Sequence, residues 1–254
     1  MFLATLRLYG SAARDAGRAV ARGGWALGWL VAALVGMAVL GVLVAPLGIL
    51  GGFALGFAQA AAAGTYLACV RDTLGAGRPL DLGRVRDNLG AYTWDVMNVL
   101  FPLFLLDLVL AQVRLPYVGM VVGIAVFLFL NPLPEMVGRV RAGGLDVLGE
   151  AWSFMGRAGP EWLLPQAAFV AGAWVLLPGA SAVDRLVRVL GVFGPRMGFM
   201  EAGGLGLSAW VGGGGVVRAV ALLVLVHAAM VFRAALYLRL ASGSRRSRAW
   251  EARF

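Results

Sequence analysis

Residues 23–70 form a run of 48 positions without one charged side chain, and this run constrains the fold more than any other feature. Pro46, Gly48, Gly51 and Gly52 interrupt it near its middle. A bilayer core about 30 Å thick is crossed by roughly 20 helical residues. The run therefore predicts two membrane-spanning helices joined by a tight hairpin.

The composition of the whole chain agrees with a lipid environment. The sequence is 61% hydrophobic and 14% charged, whereas soluble domains carry about 25% charged residues. Its mean hydropathy is +0.84. We expect an all-α, polytopic integral membrane protein with one domain over residues 1–254. The one cysteine, Cys69, excludes an internal disulfide framework.

All 22 basic residues are arginines, and the formal net charge is +9. The arginines flank the apolar stretches, which is typical of membrane topology signals and of contacts with anionic lipid headgroups. We therefore expect membrane lipids as partners and no nucleic acid.

The apolar stretches predict six spans, at about residues 25–44, 53–70, 96–113, 117–130, 162–183 and 217–240. The fourth span ends at Asn131-Pro132-Leu133-Pro134, because proline lacks an amide hydrogen and disfavours further helix. The sixth is the most polar span.

Arginine counting sets the orientation. If the N-terminus is cytoplasmic, the inner segments hold 16 arginines and the outer segments hold five. The positive-inside rule then places both termini in the cytoplasm, with residues 241–254 as a basic tail.

Residues 1–22 are expected to form an amphipathic helix that lies in the membrane surface. One face would carry Arg7, Arg14, Arg18 and Arg22, and the opposite face Phe2, Leu6, Tyr9, Ala13, Ala16 and Val20. A frayed, charged tail is the alternative.

Further in-plane helices are predicted between the spans. Asp81 and Asp146 are placed to cap two short helices on the inner side, each joining a pair of spans. On the outer side, residues 186–193 predict a third surface helix. The glycines of 203–215 fit either an irregular loop or a re-entrant segment shielded from lipid.

Small residues recur every four positions in the first two spans. They are Gly28, Ala32 and Gly36 in the first, and Gly52, Gly56, Ala60 and Gly64 in the second. Such spacing lets helix backbones approach closely. It predicts either packing of the two spans against each other or homo-oligomerisation through that face.

Five ionisable residues lie within or at the ends of predicted spans: Asp95, Asp107, Glu135, His227 and Arg233. Each costs about 2.5–3.5 kcal/mol on insertion scales if it is left in lipid. Their depths match in pairs, which predicts contacts of His227 with Asp107 and of Arg233 with Glu135 or Asp95. The pairs either fix helix register or line a polar pathway for a proton, ion or headgroup. Alternatively, Arg233 snorkels to the interface.

No catalytic set, cofactor site or metal site is recognisable, so we expect a protein that is not an enzyme. One histidine, one cysteine and no lysine are too few for a zinc site or a phosphate-binding loop. The segment around Ser208 lacks the final glycine of a nucleophile elbow. Asp95 and Asp107 are about 18 Å apart on one helix, too far to act as a pair.

Several motifs together resemble uncharacterised six-span bacterial membrane proteins. They are the basic start, the glycine-rich hairpin, Leu80-Asp81, Asn131-Pro132-Leu133-Pro134-Glu135, Phe232-Arg233 and the tail that begins at Ser242. These proteins are similar to a domain-of-unknown-function group and to the membrane domain attached to some glycerophosphodiester phosphodiesterases. The resemblance implies a non-catalytic module of the bacterial inner membrane, because no phosphodiesterase residues are present.

The layout also resembles the permease of ABC-2 type exporters. In that resemblance, residues 80–89 would form a coupling helix that contacts a separate ATPase, and 203–215 would be re-entrant. The inner segment 135–161 is longer than that fold usually carries. We therefore expect a non-enzymatic accessory or scaffold subunit, which assembles with other membrane proteins or with itself. A permease subunit of an exporter, or another transporter of small solutes or lipids, is the alternative.

Overall fold

A computed structural model describes residues 2–75, 79–112, 116–138, 145–177, 181–195 and 215–242. Every element of regular secondary structure assigned within those ranges is a helix, which confirms the expected all-α class. The helices are α1 (Phe2–Arg22), α2 (Gly24–Val44), α3 (Ile49–Gly75), α4 (Leu82–Asp87), α5 (Thr93–Gln112), α6 (Pro116–Leu130), α7 (Leu133–Met136), α8 (Leu145–Leu176), α9 (Ala182–Phe193) and α10 (Gly215–Ala241). A 3₁₀ turn, Ala45–Leu47, joins α2 to α3.

Five stretches are long and apolar enough to cross a membrane. They are Gly24–Leu47, Ile49–Gly75, Thr93–Leu110, Val118–Met136 and Val217–Ala241. Large apolar side chains stand exposed along them, such as Val39 on α2, Phe53 on α3 and Val109 on α5. Soluble monomers rarely expose apolar surface on this scale. These five agree with five of the six predicted spans.

Most of the predicted fifth span, 162–183, and the short in-plane helix expected before it belong to one continuous helix, α8, which ends at Leu176. Residues 182 and 183 already belong to α9. Pro160 and Pro165 lie inside α8 without ending it. A proline removes the hydrogen bond to the carbonyl four residues earlier, and for Pro165 that carbonyl belongs to Glu161. The Tyr9 hydroxyl of α1 donates to this carbonyl at 3.0 Å. The expectation of two separate helices was wrong, and this contact from a distant helix satisfies the oxygen that Pro165 leaves free.

Contacts between distant segments gather several helix termini at one end of the bundle, here called the α1 end. Asp15 of α1 accepts hydrogen bonds from Arg239 near the end of α10. Arg71, near the end of α3, donates to the Tyr92 hydroxyl just before α5 and to the Gly138 carbonyl just after α7. Arg22, just before the first candidate span, lines one cleft with Arg239 and Ser242, at the end of the last, so the first span starts close to where the last one ends.

Helix α1 packs along α10 through alanines. Ala12, Ala16 and Ala19 are buried, while the four arginines of α1 that were predicted to share a face are exposed. Leu6 and Ala13, which were expected on the apolar face, are also exposed. The helix is present as predicted, but its buried face is set by contact with α10 and lies beside the predicted one.

The α2–α3 hairpin packs without most of the predicted glycines. Ala26, Leu30 and Ala60 are buried, and the Trp29 indole of α2 donates to the Ala62 carbonyl of α3 at 3.1 Å. Gly28, Gly36 and Gly52 are exposed, and Gly56 is half-buried. A Cβ atom at Gly36, Gly52 or Gly56 would meet nothing within 4 Å, and at Gly28 it would meet only the neighbouring Trp25 ring. These four glycines therefore do not bring the two helix backbones of this chain into close contact. Homo-oligomerisation through the glycine face stays a prediction.

Helix α9 is not the expected surface helix. The Arg185 guanidinium lies 5.5 Å from the Trp174 ring near the end of α8. The Phe193 carbonyl at the other end of α9 bonds to Asn131, whose side chain also contacts Trp162 of α8. Trp162 and Trp174 are about 18 Å apart along α8 at 1.5 Å per residue. Helix α9 therefore runs back alongside α8 into the bundle. Residues 203–214, expected as a loop or re-entrant segment, lie outside the described ranges.

Gly64 is the predicted packing glycine that is indispensable. A Cβ atom there would lie 2.3 Å from the Ala91 carbonyl oxygen. Gly64→Ala should therefore destabilise the protein by about 1–3 kcal/mol, as overpacking does. Thermal unfolding in detergent measures the effect. Gly56→Ala, on the same helix with open space around its Cβ, is the matched control and should not lower the melting temperature. Equal melting temperatures for both variants would contradict the close approach.

Candidate functional site

Arg233 of α10 is 1% exposed and lies deep in the bundle. Its Nε donates to Oε1 of Glu135 at 2.8 Å, and its Nη2 donates to Oε2 of the same carboxylate at 3.0 Å. This two-pronged ion pair is the one predicted between α10 and the segment after α6. Asp95, the other predicted partner, is exposed at the start of α5.

The proline-rich break after α6 supplies a second acceptor for Arg233. Because the helix stops there, the Glu135 amide bonds to the Pro132 carbonyl, one residue beyond Asn131. The Asn131 carbonyl then lacks a helical donor, and an unpaired buried carbonyl is costly. Nη2 of Arg233 donates to it at 2.6 Å.

The end of α9 supplies a third acceptor. The last carbonyls of a helix have no partner within the helix, and the Phe193 carbonyl is one of these. It accepts hydrogen bonds from Nη1 of Arg233 at 2.5 Å and from the Asn131 amide at 3.1 Å. A positive charge at this position also stabilises the negative end of the α9 dipole.

Trp162 of α8 closes the arrangement. Its indole nitrogen donates to the side-chain oxygen of Asn131 at 2.8 Å, and its ring lies 5.5 Å from the Arg233 guanidinium, within reach of a cation–π contact. We call Arg233, Glu135, Asn131, Trp162 and the Phe193 carbonyl the Arg233 cluster. It ties α6, α7, α8, α9 and α10 together through polar groups that bond to one another.

His227 lies six residues before Arg233 on α10. It was predicted to pair with Asp107, and it does not. Its Nδ1 and the Tyr66 hydroxyl of α3 share a hydrogen bond at 2.9 Å, and both residues are buried. Nε2 of His227 is buried without a hydrogen-bond partner in the described part of the chain. Asp107 lies on the exposed face of α5. The prediction failed because this face of α10 turns toward α3.

A second polar region opens at the α1 end. A cleft of ≈ 390 Å³ there is lined by residues of α1, α3 and α10. We call it the basic cleft; its polar lining includes Arg18, Arg22, Arg239, Asp15 and Ser242. Asp15 accepts from Nη2 of Arg18 at 2.7 Å and from Arg239. The hydrogen bond from Arg239 is the main cause that holds the pKa of Asp15 below its ordinary value of 3.8.

No group of three or more histidine, cysteine or acidic side chains in the described ranges is placed to hold a metal ion. Cys69 is buried. The segment around Ser208, an incomplete nucleophile elbow by sequence, lies outside those ranges.

Sequence reasoning missed three residues of these sites, namely Asn131, Trp162 and Tyr66. All three are neutral, whereas the predictions paired charged groups by depth. The position of Asn131 directly before Pro132 was a usable signal, because a helix that stops there leaves a carbonyl in need of a donor.

Comparison with protein-family models, with curated proteins and with solved structures finds no match to this chain. The geometry of the Arg233 cluster and of the basic cleft is therefore the basis for assigning its role.

The Arg233 cluster makes a sharp stability prediction. Glu135→Ala leaves a buried guanidinium without its counter-charge, which costs about 3–5 kcal/mol. We expect much less folded protein in membranes and a lower melting temperature in detergent. The double variant Glu135→Leu with Arg233→Met removes both charges and should recover part of the loss. Asp95→Asn, at an exposed carboxylate, is the control and should behave like the wild type. A Glu135→Ala protein with the melting temperature of the wild type would contradict the stabilising role of the cluster.

Proposed function

We propose that this chain is a six-span integral protein of the bacterial inner membrane, with both termini in the cytoplasm. We further propose that it is a non-enzymatic scaffold or accessory subunit of a larger membrane assembly. The observation that carries the proposal is the Arg233 cluster. Its charges and helix-end carbonyls are bonded to one another, so the polar interior holds helices in register.

Parity supports six crossings. Five candidate spans would place the start of the first and the end of the last on opposite faces of the membrane. Arg22, just before the first span, and Arg239, near the end of the last, line one cleft, and this proximity favours an even number of crossings. Helix α8 has 32 residues, about 48 Å at 1.5 Å per residue, and it can supply the sixth.

The direction of α8 agrees with this role. Trp162 lies beside Arg233, the Phe169 ring lies 5.6 Å from that of Phe232, and a Cβ at Gly172 would contact Leu225. Residue numbers rise along α8 while they fall along α10, so the two helices are antiparallel. The excess of arginine on the segments of the α1 end then favours a cytoplasmic location for both termini.

A permease subunit of an exporter is the second candidate. Helix α4 is mostly exposed, with Val85 buried and Leu82 61% exposed, as expected of a coupling helix. Residues 203–214, most of the segment that would be re-entrant in the permease layout, lie outside the described ranges. Because of the exposed α4, transport is the second function to test.

Tags at both chain ends test the topology. We expect green fluorescent protein to fluoresce when it is fused to either terminus, because both are cytoplasmic. Alkaline phosphatase inserted at Gly48, in the first hairpin, should be active because that hairpin faces outward. One fluorescent and one dark terminus would leave α8 out of the membrane and overturn the six-span arrangement.

A photo-activatable amino acid in the full chain distinguishes the two roles. The scaffold role predicts adducts with integral membrane proteins, or with a second copy, from Val39 on the exposed face of α2. The permease role predicts an adduct from Leu82 with a soluble nucleotide-binding subunit, together with co-purifying ATP hydrolysis. The latter result would replace the scaffold assignment. Absence of adducts at Val39 would also contradict the scaffold role.

A further inference from the structure

We propose that the basic cleft binds the phosphate group of an anionic phospholipid. The proposal rests on the proposed six-span membrane arrangement and deepens it, because it assigns one lipid site to a defined set of residues. The cleft volume of ≈ 390 Å³ lies within the roughly 300–1,000 Å³ that is typical of small-ligand clefts.

The cleft lies where three membrane-crossing helices begin or end at one level. Arg22 directly precedes α2, Leu74 lies in the last turn of α3, and Arg239 lies in the last turn of α10. Residues at the ends of spans lie at the membrane–water interface, where arginine side chains reach lipid phosphates. The position therefore suits a headgroup.

Small side chains line the floor of the cleft, and charged side chains line its rim. Ala19, Thr73 and Ala235 line the cleft and are buried, and their small side chains leave the space open. Arg18 and Arg22 line it and are exposed. The guanidinium group is a planar fork that matches two phosphate oxygens at once. A rim of arginines above a small-residue floor fits a phosphate group.

The charge of the cleft is positive. Three arginines and one aspartate, Asp15, give a formal charge of +2. Asp15 binds Arg18 and Arg239, while Arg22 has no carboxylate partner in the described part of the chain. The guanidinium of Arg22 is the group that a phosphate would meet first.

Helix dipoles reduce this charge without reversing it. The ends of α3 and α10 each contribute about −0.5 elementary charge. The end of α1 adjoins the start of α2, whose partial charge has the opposite sign, so these two offset each other. About half of the formal charge remains after the dipoles of α3 and α10 are counted.

The apolar part of the lining favours a lipid over a free anion. Leu74 and Leu238 are half-buried beside the arginines. A free phosphate gains nothing from such a wall, whereas the glycerol and first methylene groups of a lipid gain by burying apolar surface.

Native mass spectrometry of the delipidated full chain tests the site, with added phosphatidylglycerol as the probe. The variant Arg18→Gln with Arg22→Gln should bind phosphatidylglycerol at least about fivefold more weakly, since one arginine at a membrane surface contributes about 1 kcal/mol. The matched control, Arg7→Gln with Arg14→Gln, removes the same charge from exposed positions of the same helix outside the cleft. It should bind like the wild type.

Equal weakening in both double variants would overturn the proposal, because the attraction would then be a general surface effect. Displacement of the lipid by inorganic phosphate, or phosphate binding without lipid, would overturn the lipid assignment. If the first double variant does not fold, Arg22→Gln alone breaks no ion pair and carries the same test. The terminal-tag experiment is independent of lipid binding, so a failure of the lipid site is distinguishable from a failure of the six-span topology.

Discussion

The buried guanidinium of Arg233 is the constraint on which the packing of the second half of the chain depends. A charge removed from water costs several kcal/mol unless it is paired and fully hydrogen-bonded. Glu135 supplies the counter-charge, and the carbonyls of Asn131 and Phe193 supply the remaining acceptors. These carbonyls are free because α6 and α9 end where they do. The ends of two helices must therefore meet at one point on α10, which fixes their depth and direction together. Between helices in lipid, where hydrophobic burial gives little incentive to associate, such polar contacts decide position.

The same logic recurs at two further interruptions of the main chain. Pro165 frees the Glu161 carbonyl, and Tyr9 of α1 donates to it. The chain leaves α7 at Gly138, and Arg71 of α3 donates to that carbonyl. In each case a side chain from a distant helix satisfies an oxygen that would be costly to leave unpaired in an apolar interior. Breaks in the helices thus act as the points of attachment between them. Other cross-links, such as that of Tyr66 with His227, join uninterrupted helices.

The sequence allowed the class and most of the spans to be predicted, because an uncharged run of helical length has few other solutions. The Arg233–Glu135 pair was also predictable, since both residues are ionisable and lie at matching depths. The partner of His227 was not, because depth alone does not tell which face of α10 meets which helix. Tyr66 is neutral, so it lacks the free-energy cost of a buried charge from which polar partners were inferred. For the same reason the glycine pattern of Gly28 and Gly36 did not tell which neighbour they meet. Periodicity identifies a face, but rotation of the helix in the bundle decides what that face contacts.

Helix α8 differs in composition from the five candidate spans. Glu161, Pro165 and Gln166 make it too polar to count among the five candidate spans. Yet Trp162 and Ala173 are fully buried, because one side of α8 packs against α6, α9 and α10, while Leu164 and Val175 are exposed. The side of a helix that its neighbours shield does not need apolar side chains for contact with lipid. Its polar groups are then tolerated where partners exist, as the Tyr9 contact with the Glu161 carbonyl illustrates. The Trp162 indole likewise donates to Asn131, so the polar groups of α8 join it to its neighbours although its composition leaves it out of the candidate spans.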